Sequence, residues 1–299
     1  MLLKNIIQEN QQICNLFQKR RMSAMKKSIN AWSIPDEVPF AEMFRQISEA
    51  GYDGIELNLD SPGRSAHSLT MDSGPSLFAE IRSLSEEYRL PVCSISSSLY
   101  GPDTLGSCAP AGREKGRDYV RKQLECAREL GADGILVVPG GIGPEVSVQR
   151  AYENCRESLG GLTGEIAAGK VKVGLENVWN NFFASPADMR NFIDELGCPN
   201  IGAYFDVGNV MIFSYPEHWI EILGGRIVKV HVKDFLRTGA NAGTFVNLLE
   251  GSIDWKKVMD ALRRAGYDGY LTAEVSAIPE HPQFLYDTTC MALRRICSL

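Results

Sequence analysis

Four residues of this 299-residue chain carry side chains that can hold a cation if folding brings them together. They are Glu176 in Gly-Leu-Glu-Asn, Asp206 in Tyr-Phe-Asp-Val-Gly-Asn, His231 in Val-His-Val-Lys-Asp, and Glu274 in Thr-Ala-Glu-Val. Each closes or interrupts a short apolar run, where a charged group is costly unless paired or ligated. Taken singly, each has a plainer reading. Glu176 reads as a satisfied buried carboxylate, Asp206 as the cap of a turn, His231 as a core histidine bonded to backbone, and Glu274 as the partner of an arginine. Taken together, three converging carboxylates repel one another, and a divalent cation removes that cost. Three oxygen donors and one imidazole suit Mn2+, Co2+ or Mg2+; Zn2+ is compatible, and thiolate-seeking metals are disfavoured. The side chains should then lie within roughly 8 Å of one another, about twice a ligand–metal–ligand span.

Such convergence needs a frame. The chain alternates β-branched runs with amphipathic stretches eight times, the runs being Ser28–Ile34, Gly54–Leu59, Val92–Ser97, Gly134–Pro139, Lys172–Asn177, Ile201–Val207, Ile227–Lys233 and Gly269–Val275. Between them, helical periodicity places Phe40, Met43, Phe44 and Ile47 on one face of 40–50, and Trp255, Val258, Met259 and Leu262 on one face of 255–265. Ser185-Pro186 before Asp188 reads as an N-cap with proline at the first helical position. Ala-Gly-Tyr-Asp-Gly occurs at 50–54 and again at 265–269, with Gly-Ala-Asp-Gly at 131–134, so one helix-to-strand joint recurs. Glycine there supplies a left-handed C-cap. Repeated βα units predict a parallel sheet. Eight strands with nothing left for a second domain predict a single-domain α/β fold, the (β/α)8 TIM barrel, over residues 25–299. Its length is close to the ~250 residues usual for that fold. No Gly-x-Gly-x-x-Gly follows the first run, which removes the main support for an open dinucleotide-binding sheet. Residues 1–24 stand outside the repeat, as an extra helix or a flexible extension.

Bulk properties narrow the class further. The formal net charge is −6, whereas nucleic-acid binding usually selects a basic patch. No window reaches the roughly 18 uninterrupted apolar residues of a membrane span. The first residues lack the pattern of a secretory signal. Eight cysteines show no Cys-x-x-Cys spacing and read as reduced thiols, several of them in the core. These features fit a cytoplasmic enzyme acting on small molecules, and leave a homo-oligomer open.

The stretch from Gly174 to Glu274 resembles the xylose-isomerase-like barrel superfamily, in particular its sugar phosphate isomerase/epimerase branch (AP endonuclease family 2). The pieces that carry the resemblance are Gly-Leu-Glu176-Asn, Phe-Asp206-Val-Gly-Asn, Lys-Val-His231-Val-Lys-Asp, Leu-Glu250-Gly-Ser-Ile-Asp-Trp255 and Gly-Tyr-Asp-Gly-Tyr-Leu-Thr-Ala-Glu274. A weaker likeness runs through Ala-Gly-Tyr-Asp-Gly-Ile-Glu56-Leu. In the ketose 3-epimerases of this group two glutamates, an aspartate and a histidine bind one divalent metal. Matched by motif, these are Glu176, Asp206, His231 and Glu274. The resemblance makes Glu176 and Glu274 the acid/base pair on opposite faces of a ketose or ketose phosphate, working through an enediolate. It also brings two alternatives on the same site, a lyase similar to the inosose dehydratases and an aldose–ketose isomerase of the hydroxypyruvate type.

Where epimerases of free ketohexoses carry a substrate-contacting histidine three residues after the metal aspartate, this chain has Asn209. Arg237, six residues after His231, matches their substrate-contacting arginine; its other reading is a solvated loop charge. Lys233 and Arg237 together could hold a phosphate, in a long glycine-bearing loop, 235–252, suited to covering a substrate. Trp32 and Trp179 either wall the sugar's apolar face or pack in the core. Glu56 reads first as an inward structural polar residue and second as a neighbour of the ligands. With only His67, His218, His231 and His281 available, the three-metal chemistry of endonuclease IV is excluded. His218 and His281 fall in helical patterns, as structural or surface residues.

Overall fold

The computed structural model describes residues 25–299. The segment 1–24, with its suggested helix, and Cys14 lie outside the described residues. Eight parallel strands form a closed barrel: β1 (Lys26–Asn30), β2 (Gly54–Leu59), β3 (Val92–Ser97), β4 (Gly134–Val137), β5 (Lys172–Glu176), β6 (Ile201–Asp206), β7 (Ile227–Val232) and β10 (Tyr270–Ala273). Closure comes from β10, which pairs with β7 on one side and β1 on the other. This is the (β/α)8 barrel that the alternation implies.

Helices pack around it. The first, α1 (Phe40–Ala50), buries Phe40, Met43, Phe44 and Ile47, the predicted stripe. Helix α1 ends at Gly51, whose φ of 90° is left-handed and whose N–H closes onto Ile47 O and Ser48 O. The recurring joint adopts the same conformation at Gly131 (φ 74°) and Gly266 (φ 79°). That is why glycine recurs there: a Cβ in this region costs roughly 1 kcal/mol or more. At Pro186–Leu196, Ser185 and Asp188 form a reciprocal capping box.

Inside the barrel, side chains from alternate strand positions meet. A Cβ added at Gly174 of β5 would lie 2.8 Å from Tyr204 Cβ, so this glycine leaves room for a tyrosine ring in the barrel interior. Two expectations are corrected. The first strand stops at Asn30 rather than Ile34, because the Asn30 side chain accepts the Trp32 N–H at 2.7 Å and starts a 3-10 turn, Ala31–Ser33. The loop expected at 235–252 contains an antiparallel hairpin, β8 (Asp234–Gly239) and β9 (Ala242–Val246). Among the described residues no helix is long and apolar enough to cross a membrane.

Candidate metal centre

Glu176 is the last residue of β5 and Asp206 the last of β6. His231 lies in β7, in register with Asp206 on one side and Thr272 of β10 on the other. Glu274 follows β10 directly, its N–H bonded to Val232 O at 3.1 Å. Barrel pairing thus sets the four at one height, at the carboxyl end where such barrels gather their chemistry. One ligand atom from each lies within 4.8 Å of all the others. Metal–oxygen bonds of about 2.1 Å put opposite ligands about 4.2 Å apart, so the span fits one divalent ion after small adjustment. The donor set fits as well. Asp206 Oδ2 is buried without a hydrogen-bond partner. Its nearest charge is the Lys233 ammonium at 3.1 Å, an ion pair lacking hydrogen-bond direction.

Electrostatics separate the carboxylates. Burial pushes the Glu176 carboxyl up to about 7; His231 opposes this, and Glu274 and Asp206 add to it. Burial likewise raises Asp206, against the pull of Lys233. Burial acts upward on Glu274 too, but Lys233 and His231 outweigh it and hold that group below its ordinary value. Lys233 donates to Glu274 Oε2 at 2.6 Å. For His231 burial disfavours the charged ring, yet Glu56 and Glu176 raise it well above the usual imidazole range.

Beside the four residues opens a cleft of about 560 Å³, lined in part by Trp32, Lys233, Phe245, Glu250 and Glu274. That is within the usual range for small-molecule sites. Trp32 stands at its wall, its indole N–H 3.3 Å from Asp60 Oδ2. Trp179 is half exposed, donates to Asn209 O at 2.7 Å, and stacks on Phe245 of the hairpin with ring centroids 5.0 Å apart. Asn209 is buried; its backbone N–H caps Asp206 Oδ1 at 2.7 Å and its amide donates to Asn177 O at 2.9 Å. Arg237 points away from the carboxylates. Its guanidinium donates to Met211 O at 2.5 Å and to Ser214 O, and lies over the Tyr215 ring. His218 and His281 are exposed, and His67 is a buried histidine bonded to Val38 O and Ala31 O. A larger cleft, about 820 Å³ beside Cys108 and Arg150, includes none of the four metal-capable residues.

Three contacts extend the reading of motifs, the first of them matching the second of the two readings of Glu56. Glu56 touches His231, with Oε1 2.6 Å from Nε2. Lys233, which lines the cleft, also pairs with two of the carboxylates, Asp206 and Glu274. Asp234 ties the hairpin's return together, accepting from Leu249 N at 3.0 Å and Trp255 Nε1 at 2.9 Å. The last explains why Asp234 and the Leu-Glu-Gly-Ser-Ile-Asp-Trp motif occur together.

Several known proteins share this architecture. The chain is 27% identical over 166 residues to an uncharacterised protein of Methanocaldococcus jannaschii, a match spanning 52% of this chain and only 55% of that one. It is 23% identical over 255 residues to fructoselysine 3-epimerase of Escherichia coli O157:H7, covering 83% of this chain and 90% of that enzyme. Among solved structures, a D-tagatose 3-epimerase-like protein superposes with a TM-score of 0.75 at 21% identity, over 92% of this chain and 97% of its own. The sequence model of one barrel family matches residues 44–296, nearly the whole barrel with the four strand ends that carry the metal-capable residues, and by that match the chain belongs to the xylose isomerase-like TIM barrel family.

Proposed function

We propose that the protein is a carbohydrate isomerase of the epimerase type, dependent on a divalent metal and acting on a ketose. The observation that carries this reading is the convergence of Glu176, Asp206, His231 and Glu274 within 4.8 Å beside a sugar-sized cleft. Mn2+, Co2+ or Mg2+ suits the donors best. Bound there, a divalent cation would polarise the carbonyl and stabilise the negative charge that develops when the adjacent carbon loses its proton.

The chain's own groups do the rest. One glutamate of the Glu176/Glu274 pair takes the proton alpha to the carbonyl, giving an enediolate, and the other returns a proton from the far face, which inverts that carbon. Glu176 would stay ionised beside a bound cation, the form in which a carboxylate can take up a proton. Trp32 and Phe245 line the cleft and supply an apolar wall that excludes water. Asn209 holds Asp206 through its backbone N–H and the Trp179 indole N–H through its carbonyl oxygen, and so shapes the site. Lys233 is engaged with Asp206 and Glu274, and Arg237 with two backbone carbonyls. These contacts favour a free ketose over a ketose phosphate, which needs an uncommitted cation. The seven free cysteines of the described residues fit a reducing compartment, the cytoplasm.

A screen of free ketoses and their phosphates with added Mn2+, Co2+ or Mg2+ tests the reading. Metal-dependent appearance of an epimer supports it. Loss of water from the product would instead establish a dehydratase on the same residues.

A further inference from the structure

Behind the metal-capable residues lies a fourth carboxylate, one that the proposed reaction does not use. Glu56 sits in β2, fully buried, at an inward position between Ile55 and Leu57. An isolated buried charge costs several kcal/mol unless its oxygens are satisfied. Here both are. Oε1 receives Asn30 Nδ2 at 2.5 Å and His231 Nε2 at 2.6 Å, and Oε2 receives the Tyr204 hydroxyl. The Asn30 amide that holds Glu56 is itself held, since its oxygen accepts the Trp32 N–H at 2.7 Å. Four strands, β1, β2, β6 and β7, therefore contribute to one buried network, with Glu56 at its centre.

The consequence falls on the imidazole. With Nε2 bonded to Glu56, the other nitrogen faces the cluster: His231 Nδ1 is 3.2 Å from Glu176 Oε1 and 3.6 Å from Glu274 Oε2. A histidine that ligates a metal through one nitrogen generally donates the other N–H to an acceptor, which fixes both tautomer and ring angle. We infer that Glu56 is a positioning residue of the metal centre: it holds the Nε2 proton of His231, so that Nδ1 is the nitrogen presented to the cation. Its carboxylate also places one further negative charge behind the ligand. The inference rests on the metal-centre reading above, but not on any particular sugar being the substrate.

Co2+ serves as the probe, with the full chain loaded by titration against a chelator and its visible absorption recorded. The expected result is that Glu56→Ala binds Co2+ about 10- to 100-fold more weakly than the wild type, with a changed ligand-field spectrum. Glu56→Gln keeps the shape of the side chain and serves where Glu56→Ala does not fold. Its amide oxygen stays toward Nε2 and the Asn30 NH2, with its own NH2 toward the Tyr204 hydroxyl, but a neutral acceptor holds the imidazole N–H less strongly than a carboxylate. A loss of Co2+ affinity beyond about twofold but smaller than that of Glu56→Ala, with a shifted spectrum, is expected there. In the Zn2+-loaded wild type labelled with 15N-histidine, the His231 resonances should report a protonated Nε2 and a metal-shifted Nδ1. A folded Glu56 variant with Co2+ affinity within about twofold of wild type and an unchanged spectrum overturns the inference, as does Zn2+ on Nε2. A wild type that binds no Co2+ overturns it together with the metal centre, whereas Co2+ binding without turnover of any ketose overturns only the proposed activity.

Discussion

Lys233 Nζ lies 2.6 Å from Glu274 Oε2 and 3.1 Å from Asp206 Oδ2, bridging two of the carboxylates that would hold the metal. An ammonium in this place lowers the repulsion among the acids in the metal-free protein, and it competes with a second cation once one arrives. Charges at this range interact by a few kcal/mol at an effective dielectric near 20.

Replacing Lys233 by methionine should therefore have two opposite effects. The metal-free protein should melt at a lower temperature, because the carboxylates lose a counter-charge. Affinity for Mn2+ should rise, by about tenfold, because a competing charge is gone. Calorimetric melting and chelator competition measure the two. Weaker Mn2+ binding by Lys233→Met would show that the lysine supports the ion rather than substituting for it.

Metal affinity should depend on pH with a definite sign. In the metal-free protein Glu176 titrates near 7, above the ordinary carboxylate value, because it is buried beside other acids. Its contribution to stability is present below the unfolded value of about 4.5 and is lost as pH rises through about 7. A bound cation needs the ionised form, so binding displaces that proton. Affinity for Mn2+ should climb by at least about tenfold per pH unit through about 7 and go on rising above it, because His231, raised well above the usual imidazole range, must also give up a proton to ligate. The metal-induced rise in Tm should grow in parallel. An affinity flat between pH 5 and 7 would contradict the burial and coupling of Glu176.

Arg237 has a structural task in this account. Its guanidinium pins the β8 strand to the Met211 and Ser214 carbonyls and stacks over Tyr215. Arg237→Ala should lower stability by about 1–3 kcal/mol, the cost of leaving such partners unsatisfied. It should change kcat/KM for free and phosphorylated ketoses by similar factors. A loss confined to phosphorylated substrates would make Arg237 a phosphate ligand, the role its charge and guanidinium geometry offer together with Lys233.

Local chemistry made most of the barrel readable in advance. The limits of β2, β3 and α1 follow from apolar period and a glycine stop, and are the same in structure and sequence pattern. The four cation-capable residues stood out because charged groups inside apolar strand runs need a reason. What escaped depends on distance along the chain or on competition between nearby partners. Glu56 was read second as a neighbour of the ligands, but its partner among them, His231, lies 175 residues away and is set only by the barrel's closure. The end of β1 was misjudged because the Asn30 side chain diverts the backbone into a turn. The hairpin was hidden because its exposed strands lack a buried alternating face. The two carboxylate partners of Lys233 were hidden because Asp206 and Glu274 come from other strand ends and meet it only in the barrel.

Proton exchange at the inverted carbon tests the central claim most directly. Metal-loaded protein is incubated in D2O with the ketose it epimerises, and product is followed by NMR while metal content is measured on the same sample. The account predicts one deuteron at the inverted carbon and no loss of water. With metal still bound, Glu176→Gln and Glu274→Gln should each slow turnover by roughly 10²- to 10⁴-fold. The double variant should be little slower than the worse single one, since one proton path runs through both residues. Near-normal turnover by either metal-loaded variant would remove that glutamate from the mechanism, and inversion without deuterium would contradict proton transfer through solvent-exchangeable carboxylates altogether.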